Sequence, residues 1–139
     1  MFCIQCRNPR TAVTNSRPHK KLPTVWRRRS CMACGDVFTT IEKPDLTSMQ
    51  VRSPGHTQPF NLGRLIISIA NAFQHNQALG TEHAAALADT IIGHLTAHQD
   101  ISTATIAEEA HRVLSRFDES AGIAYALQHG LSIKRQRSR

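Results

Sequence analysis

The sequence predicts an α+β chain in two parts, a small β module built on four cysteines followed by a short hairpin and four helices. Three observations predict it. All four cysteines fall in two Cys-x-x-Cys pairs, Cys3/Cys6 and Cys31/Cys34. The residues around them are interrupted by Pro9, Pro18 and Pro23 and carry scattered Thr and Val, the composition of short strands and turns. From residue 62 onward, apolar side chains recur at helical spacing between capping residues.

A chain of 139 residues, 40% of them hydrophobic, makes one ordinary domain or two small ones. Its charged fraction of 19% is too low for wholesale disorder. No apolar run approaches the ~20 residues of a membrane helix, and no apolar signal-peptide core follows Phe2 and Ile4. A soluble cytoplasmic protein is therefore expected, and in that reducing setting paired cysteines are more often metal ligands or catalysts than disulfides. The net charge of +7 is unevenly spread. Residues 1–47 hold nine Lys/Arg against three Asp/Glu, residues 48–130 four against seven, and residues 131–139 four against none. A basic head and tail around a mildly acidic middle argue for separate modules, set here at 1–46, 47–130 and a tail 131–139. A polyanion is the expected partner of the head, although a basic face can also be merely solvated.

The four cysteines fit a structural Zn²⁺ site, which takes four thiolates at tetrahedral corners. Each Cys-x-x-Cys turn places two sulfurs on one metal, and the long stretch 7–30 must return the second pair to the first. Gly35, directly after Cys34, suits a turn with positive φ. A redox pair would sit at a helix start in a βαβ pattern, which this segment lacks. Residues 1–45 hold too few apolar side chains for an unaided core, so one zinc per chain is expected to keep the module folded. His19 and His56 are not needed as ligands.

Between the pairs lie Arg17, Lys20, Lys21 and the run Trp26-Arg27-Arg28-Arg29. On an extended segment the arginine triplet would split between two faces, with some guanidinium groups toward phosphates and Trp26 either packed on the module or stacked on a base. These seven residues are the candidate DNA contacts; the competing reading is a solvated charge run with a small-core tryptophan.

Beyond a hinge at Pro44-Asp45-Leu46-Thr47-Ser48, two short strands flank Ser53-Pro54-Gly55-His56. Asn61 caps a helix beginning at Leu62, with Leu62, Leu65, Ile66, Ile69 and Phe73 inward. Gly80 breaks the chain and Thr81 caps a second helix, with Leu87, Ala88, Ile91 and Leu95 inward. Ser102 or Thr103 opens a third, with Ile106, Ala110, Val113, Leu114 and Phe117 inward. Asp118 caps a fourth, carrying Ile123 and Leu127 to a stop near Gly130. No catalytic constellation stands out, and an enzyme is not expected. Six histidines (His75, His83, His94, His98, His111, His129) are spread over the helices without a partnering pattern. His94 and His98 are one turn apart but enclose no acidic residue as in a zinc-protease helix, and no Walker-type glycine loop is present.

In this order the pieces resemble the bacterial repressors of ribonucleotide reductase genes, a zinc ribbon fused to an ATP-cone. Thr11-x-Val13, Ser16-Arg17-Pro18, Arg27-Arg28-Arg29-x-Cys31-x-x-Cys34-Gly35 and Phe38-Thr39-Thr40-x-Glu42 stand where that family has similar residues, across most of 1–43. The likeness continues more weakly to about residue 130. The family's cone opens on a valine, basic residues and a glycine, then Pro-Phe and a helix with an early lysine. Val51, Gly55 and Pro59-Phe60 match that pattern. Arg52 and Arg64 stand at its lysine positions, and Arg and Lys are not freely exchangeable in a close-fitting site. Ser53, Pro54, Gln58, Gly122 and Ala124 depart from it.

The resemblance implies an ATP-cone-like domain (hairpin plus four-helix bundle), double-stranded DNA as the ribbon's partner, and ATP or dATP bound through Val51, Arg52, Gly55, Gln58 and Arg64. It further implies a homo-oligomer formed through the cone, and a cytoplasmic, nucleoid-associated repressor in bacteria. Two alternatives remain open: a divergent regulator whose cone serves oligomerisation only, and a zinc-ribbon adaptor for RNA or protein.

Overall fold

The computed structural model describes residues 1–98 and 100–132. The basic tail residues Lys134, Arg135, Arg137 and Arg139 lie outside them. The chain divides into two compact units, Met1–Asp45 and Leu46–Arg139.

The first unit is a three-stranded antiparallel sheet of β1 (Thr11–Pro18), β2 (Val25–Cys31) and β3 (Val37–Glu42), with β2 in the centre. The β1–β2 ladder shifts register between Val13 and Asn15, leaving Thr14 as a bulge whose hydroxyl donates to the Arg28 carbonyl (3.2 Å). Its buried cluster is only Cys3, Cys31 and Phe38, far too little apolar surface to hold a fold of this size.

The second unit begins with the hairpin β4 (Gln50–Ser53) and β5 (His56–Pro59), turned by Gly55 at φ +81. Then come α1 (Leu62–Ala72), α2 (Gln77–Leu95), α3 (Thr103–Phe117) and α4 (Glu119–Gln128). The Arg52 amide donates to the Ile101 carbonyl (2.9 Å), so the segment entering α3 runs beside β4. Asn61, Ser102 and Asp118 cap α1, α3 and α4, each side chain accepting an amide hydrogen bond from the first turn. The core joins Val51 and Phe60 of the hairpin region to Leu65, Ile69, Phe73, Ala88, Ile91, Leu95, Leu114 and Tyr125. No helix is long and apolar enough to cross a membrane among the described residues.

Two helical expectations change. Helix α2 starts at Gln77, capped by Asn76, whose side chain accepts from the Leu79 amide (3.1 Å). Thr81 is inside it, its hydroxyl donating back to the Gln77 carbonyl. Gly80 is no breaker: a Cβ there would lie 2.8 Å from the Phe73 Cβ, so the missing side chain is what lets the end of α1 pack on α2. Helix α4 turns Ala121, Gly122, Tyr125 and Ala126 inward and leaves Ile123 and Leu127 exposed. Gly122 fixes that rotation, because a Cβ would meet the Ser115 Oγ at 2.3 Å and its Cα at 2.7 Å. Leu62 and Phe117, expected inward, are also exposed.

Candidate metal centre and nucleic-acid interface

The two cysteine turns are built alike. The Gln5 and Ala33 amides each donate to the sulfur two residues earlier, Cys3 and Cys31, at 3.4 Å. The Arg7 and Gly35 amides donate to the carbonyls of those same cysteines, at 3.0 and 3.1 Å. The Cys3 and Cys31 amides in turn donate to the Asn8 and Asp36 carbonyls. Both turns close on a left-handed residue, Arg7 at φ 58 and Gly35 at φ 73. Glycine pays nothing for that conformation, whereas arginine does.

The turns bring four sulfurs together. Their Sγ atoms lie within 4.8 Å of one another, with Cys3–Cys34 at 3.7 Å and Cys6–Cys31 at 3.6 Å. Tetrahedral Zn–S bonds of about 2.3 Å would set sulfurs about 3.8 Å apart. The spacing fits that geometry, and all four thiols are free of disulfides. Their acid–base balance points the same way. Backbone amides of Cys34 and Ala33 hold the Cys31 thiol down to about 6. The Asp36 amide pulls Cys34 down too, but the Cys6 thiol, burial and the other sulfurs outweigh it and push Cys34 up to about 12. Four sulfurs this close cannot all ionise beside one another without a cation between them, and a divalent ion supplies it. The donor set fits Zn²⁺, whose chemistry here is structural: it ties the two turns together. His19 lies outside the four-sulfur cluster, and its Nδ1 accepts from the Lys21 and Leu22 amides.

Strand β2 splits the arginine triplet. Arg27 and Arg29 share a face with Cys31 and, across the ladder, with Ser16, Phe38, Thr40 and Glu42. Both are held within the sheet. Arg27 donates to Glu42 (Nε–Oε2 2.7 Å) and to the Ser16 hydroxyl (3.2 Å), and Arg29 to Thr40 (3.3 Å). The other face carries Arg28 and Trp26, with Arg17 paired to Trp26, Asn15 paired to Arg28, and Thr39. Those five residues line one open cleft of about 310 Å³. Trp26 is 53% exposed, so the small-core reading of it fails. Lys20 and Lys21 lie in the loop 19–24 that joins β1 to β2 at the Trp26 end of this face. Sequence alternation made the split legible; the roles of Asn15 and Thr39 needed the register.

In the second unit, Val51, Gln58 and Arg64 line a cavity of about 230 Å³ together with Phe60, Ser68, Ile106, Tyr125 and His129. Arg52 and Gly55 do not line it. The Arg52 guanidinium pairs instead with Asp100, a partner that no local pattern in the chain marks. Arg64 donates to Gln58 (3.3 Å), which donates to Ser53 (3.1 Å). His129 stacks on Tyr125 (centroids 4.2 Å apart) and bonds Ser68 (2.9 Å). Burial pushes the Tyr125 hydroxyl up and the His129 imidazole down from their usual ranges.

A zinc-held ribbon with one exposed aromatic and cationic face, followed by a hairpin-and-helix unit, defines the class of zinc-ribbon regulators. Residues 1–42 match the family model for the transcriptional repressor NrdR-like N-terminal domain. Over 128 residues the chain is 31% identical to the transcriptional repressor NrdR of Chlamydia muridarum (strain MoPn / Nigg), covering 91% of this chain and 84% of that protein. The NrdR of Chromobacterium violaceum is 31% identical over 129 residues with the same coverage. That of Parafrankia sp. (strain EAN1pec) is 33% identical over 131 residues, covering 91% of this chain and 67% of the relative. The chain belongs to the NrdR transcriptional repressor family.

Proposed function

We propose that the chain is a zinc-dependent, DNA-binding transcriptional repressor of the bacterial cytoplasm, associated with the nucleoid when bound. The observation that carries this reading is the open face of the ribbon. It presents Arg17, Arg28 and Trp26, with Lys20 and Lys21 at its end and no acidic residue among its members. In this reading Arg17, Lys20, Lys21 and Arg28 meet duplex phosphates and base edges. Arg27 and Arg29 brace the strands from the opposite face. A single ribbon offers few cations, so it binds weakly and with strong salt dependence. Association through the helical unit multiplies that affinity by linking ribbons on adjacent sites. Recovery of bound DNA from cells tests the reading: enrichment of discrete duplex sites supports it, and recovery of RNA alone or of nothing contradicts it.

Adenine nucleotide, ATP or dATP, is the proposed ligand of the Val51/Gln58/Arg64 cavity, setting how copies associate. A specific observation favours a second reading, in which the helical unit serves association only: Arg52 is spent on Asp100, leaving Arg64 as the cavity's sole lining cation among the described residues. Thermal shift separates them. Ligand at 100 times its Kd adds about 2.7 kcal/mol to the stability of its unit; no shift at millimolar ATP or dATP supports the second reading.

A further inference from the structure

Trp26 poses a question that duplex binding does not answer. It is the chain's single tryptophan, it is 53% exposed on a sheet face, and it is paired directly with Arg17 and two residues from Arg28. Cross-strand partners stand about 5 Å apart at Cβ and same-face neighbours along a strand about 7 Å apart, so one indole is flanked by two guanidinium groups. Neither Arg17 nor Arg28 has an acidic or hydrogen-bonding side-chain partner among the described residues, whereas Arg27 and Arg29 both do. Asn15 and Thr39 complete the cleft with neutral hydrogen-bonding groups.

A base inside a duplex offers only its edges to a protein, because neighbouring pairs cover both of its faces. An exposed indole between two free cations is matched instead to an unstacked base with its phosphates, the pattern of sequence-tolerant single-strand binding. We propose that the Asn15/Arg17/Trp26/Arg28/Thr39 cleft is a binding site for an unpaired base of single-stranded DNA, stacked on Trp26 and clamped through its phosphates by Arg17 and Arg28. This rests on the reading of the ribbon as a DNA binder and adds to it a second mode, distinct from duplex recognition. It gives the protein a hold on locally opened DNA, and the hydrogen bonds of Asn15 and Thr39 are available to the edge of the stacked base.

The single tryptophan makes the test direct. The full-length, zinc-loaded protein is titrated with oligo(dT) of about 12 nucleotides, within the usual span of single-strand sites, with a blunt duplex and with oligo(U). Trp26 fluorescence and binding are followed together. Expected are saturable quenching by oligo(dT), little quenching by the duplex even where it binds, and weaker binding of oligo(U). Trp26→Ala should weaken oligo(dT) binding about tenfold or more at unchanged zinc content. Trp26→Phe should keep most of the binding. Duplex binding with no quenching by oligo(dT), or equal single-strand affinity in W26A, overturns the inference and leaves the repressor reading standing. Equal quenching by the blunt duplex overturns it as well, and tighter oligo(U) binding overturns the assignment to DNA. Failure to bind any of the three probes overturns both readings.

Discussion

The two units of this chain are stabilised by different means. The helical unit closes on its own apolar surface: Ile69, Phe73, Ala88, Ile91, Leu95 and Leu114 are all fully buried. The ribbon's buried cluster is Phe38 and two of its four cysteines, Cys3 and Cys31. Hydrophobic burial of about 25 cal/mol per Å² therefore carries the first, and metal coordination the second. The difference assigns the units separate sensitivities, and also separate freedoms. A unit held by four sulfurs can leave Trp26, Arg17 and Arg28 in solvent, where a ligand can reach them. A unit held by packing draws most of its aromatic residues inward: Phe60, Phe73 and Tyr125 are buried, and Phe117 at the end of α3 is exposed.

Chelation of zinc is expected to have the largest effect, and on one unit only. Chelation should unfold residues 1–45 and leave the helical unit intact, since structural zinc contributes about 10–16 kcal/mol in ribbon-sized domains. Amide NMR should show the ribbon resonances collapse while those of α1–α4 persist. Metal analysis beforehand should give about one zinc per chain. Loss of both units together would show that the division is not an energetic one.

The reverse experiment is next in size. Leu95→Ala or Leu114→Ala, each at a fully buried site, should cost about 2–5 kcal/mol in the helical unit's unfolding transition. Zinc content should stay unchanged. A fall in zinc stoichiometry in either variant would mean that the ribbon depends on the helical core.

A smaller effect sharpens the likeness of the two cysteine turns. Arg7 occupies the left-handed position that Gly35 occupies in the other turn. Arg7→Gly should tighten the ribbon by about 1 kcal/mol and Gly35→Ala should weaken it by a similar amount. The space around Gly35 is open, so the cost there is conformational alone. A competition titration with a chelator reads both; equal metal affinity across the set would show that these backbone positions are not strained in solution.

The smallest expected effect is a cap. Asp118 accepts the Ala121 amide (2.8 Å) and contacts His75 (3.1 Å). Its carboxyl is held below the usual range first by the Ala121 amide, then by His75, against the opposing effect of burial. A depressed carboxyl contributes stability above its unfolded pKa of 3.8, lost as pH falls through the lower folded value. Asp118→Ala should therefore cost about 1 kcal/mol at neutral pH, with the difference from wild type fading below about pH 3.8. A difference constant with pH would deny the charged cap.

Much of this was legible in the sequence, and the limits have physical causes. Four cysteines in two short turns specify a ribbon because few other geometries satisfy four thiolates, and the open face followed from strand alternation through Trp26-Arg27-Arg28-Arg29. Capping by Asn61, Ser102 and Asp118 was readable because each side chain acts on its own first turn. What escaped depends on distant partners. Gly80 reads as a breaker until Phe73 is seen against it, and Gly122 reads only as a departure from the family's pattern until Ser115 is seen against it. Arg52 looks like a free cation in the sequence because Asp100 is far along the chain, and only the strand-like pairing of Arg52 with the entry to α3 brings them together.

On the function proposed above, the ribbon's DNA contacts lie on the Trp26 face and not on the Cys31 face. The salt dependence of duplex binding decides between the faces, read in two paired variants, both checked for full zinc content. Arg17→Ala with Arg28→Ala should weaken binding and flatten the slope of log K against log salt by about 2, one for each lost phosphate contact. Arg27→Ala with Arg29→Ala should leave that slope nearly unchanged. The opposite pattern, a flattened slope only when Arg27 and Arg29 are removed, would contradict the claim.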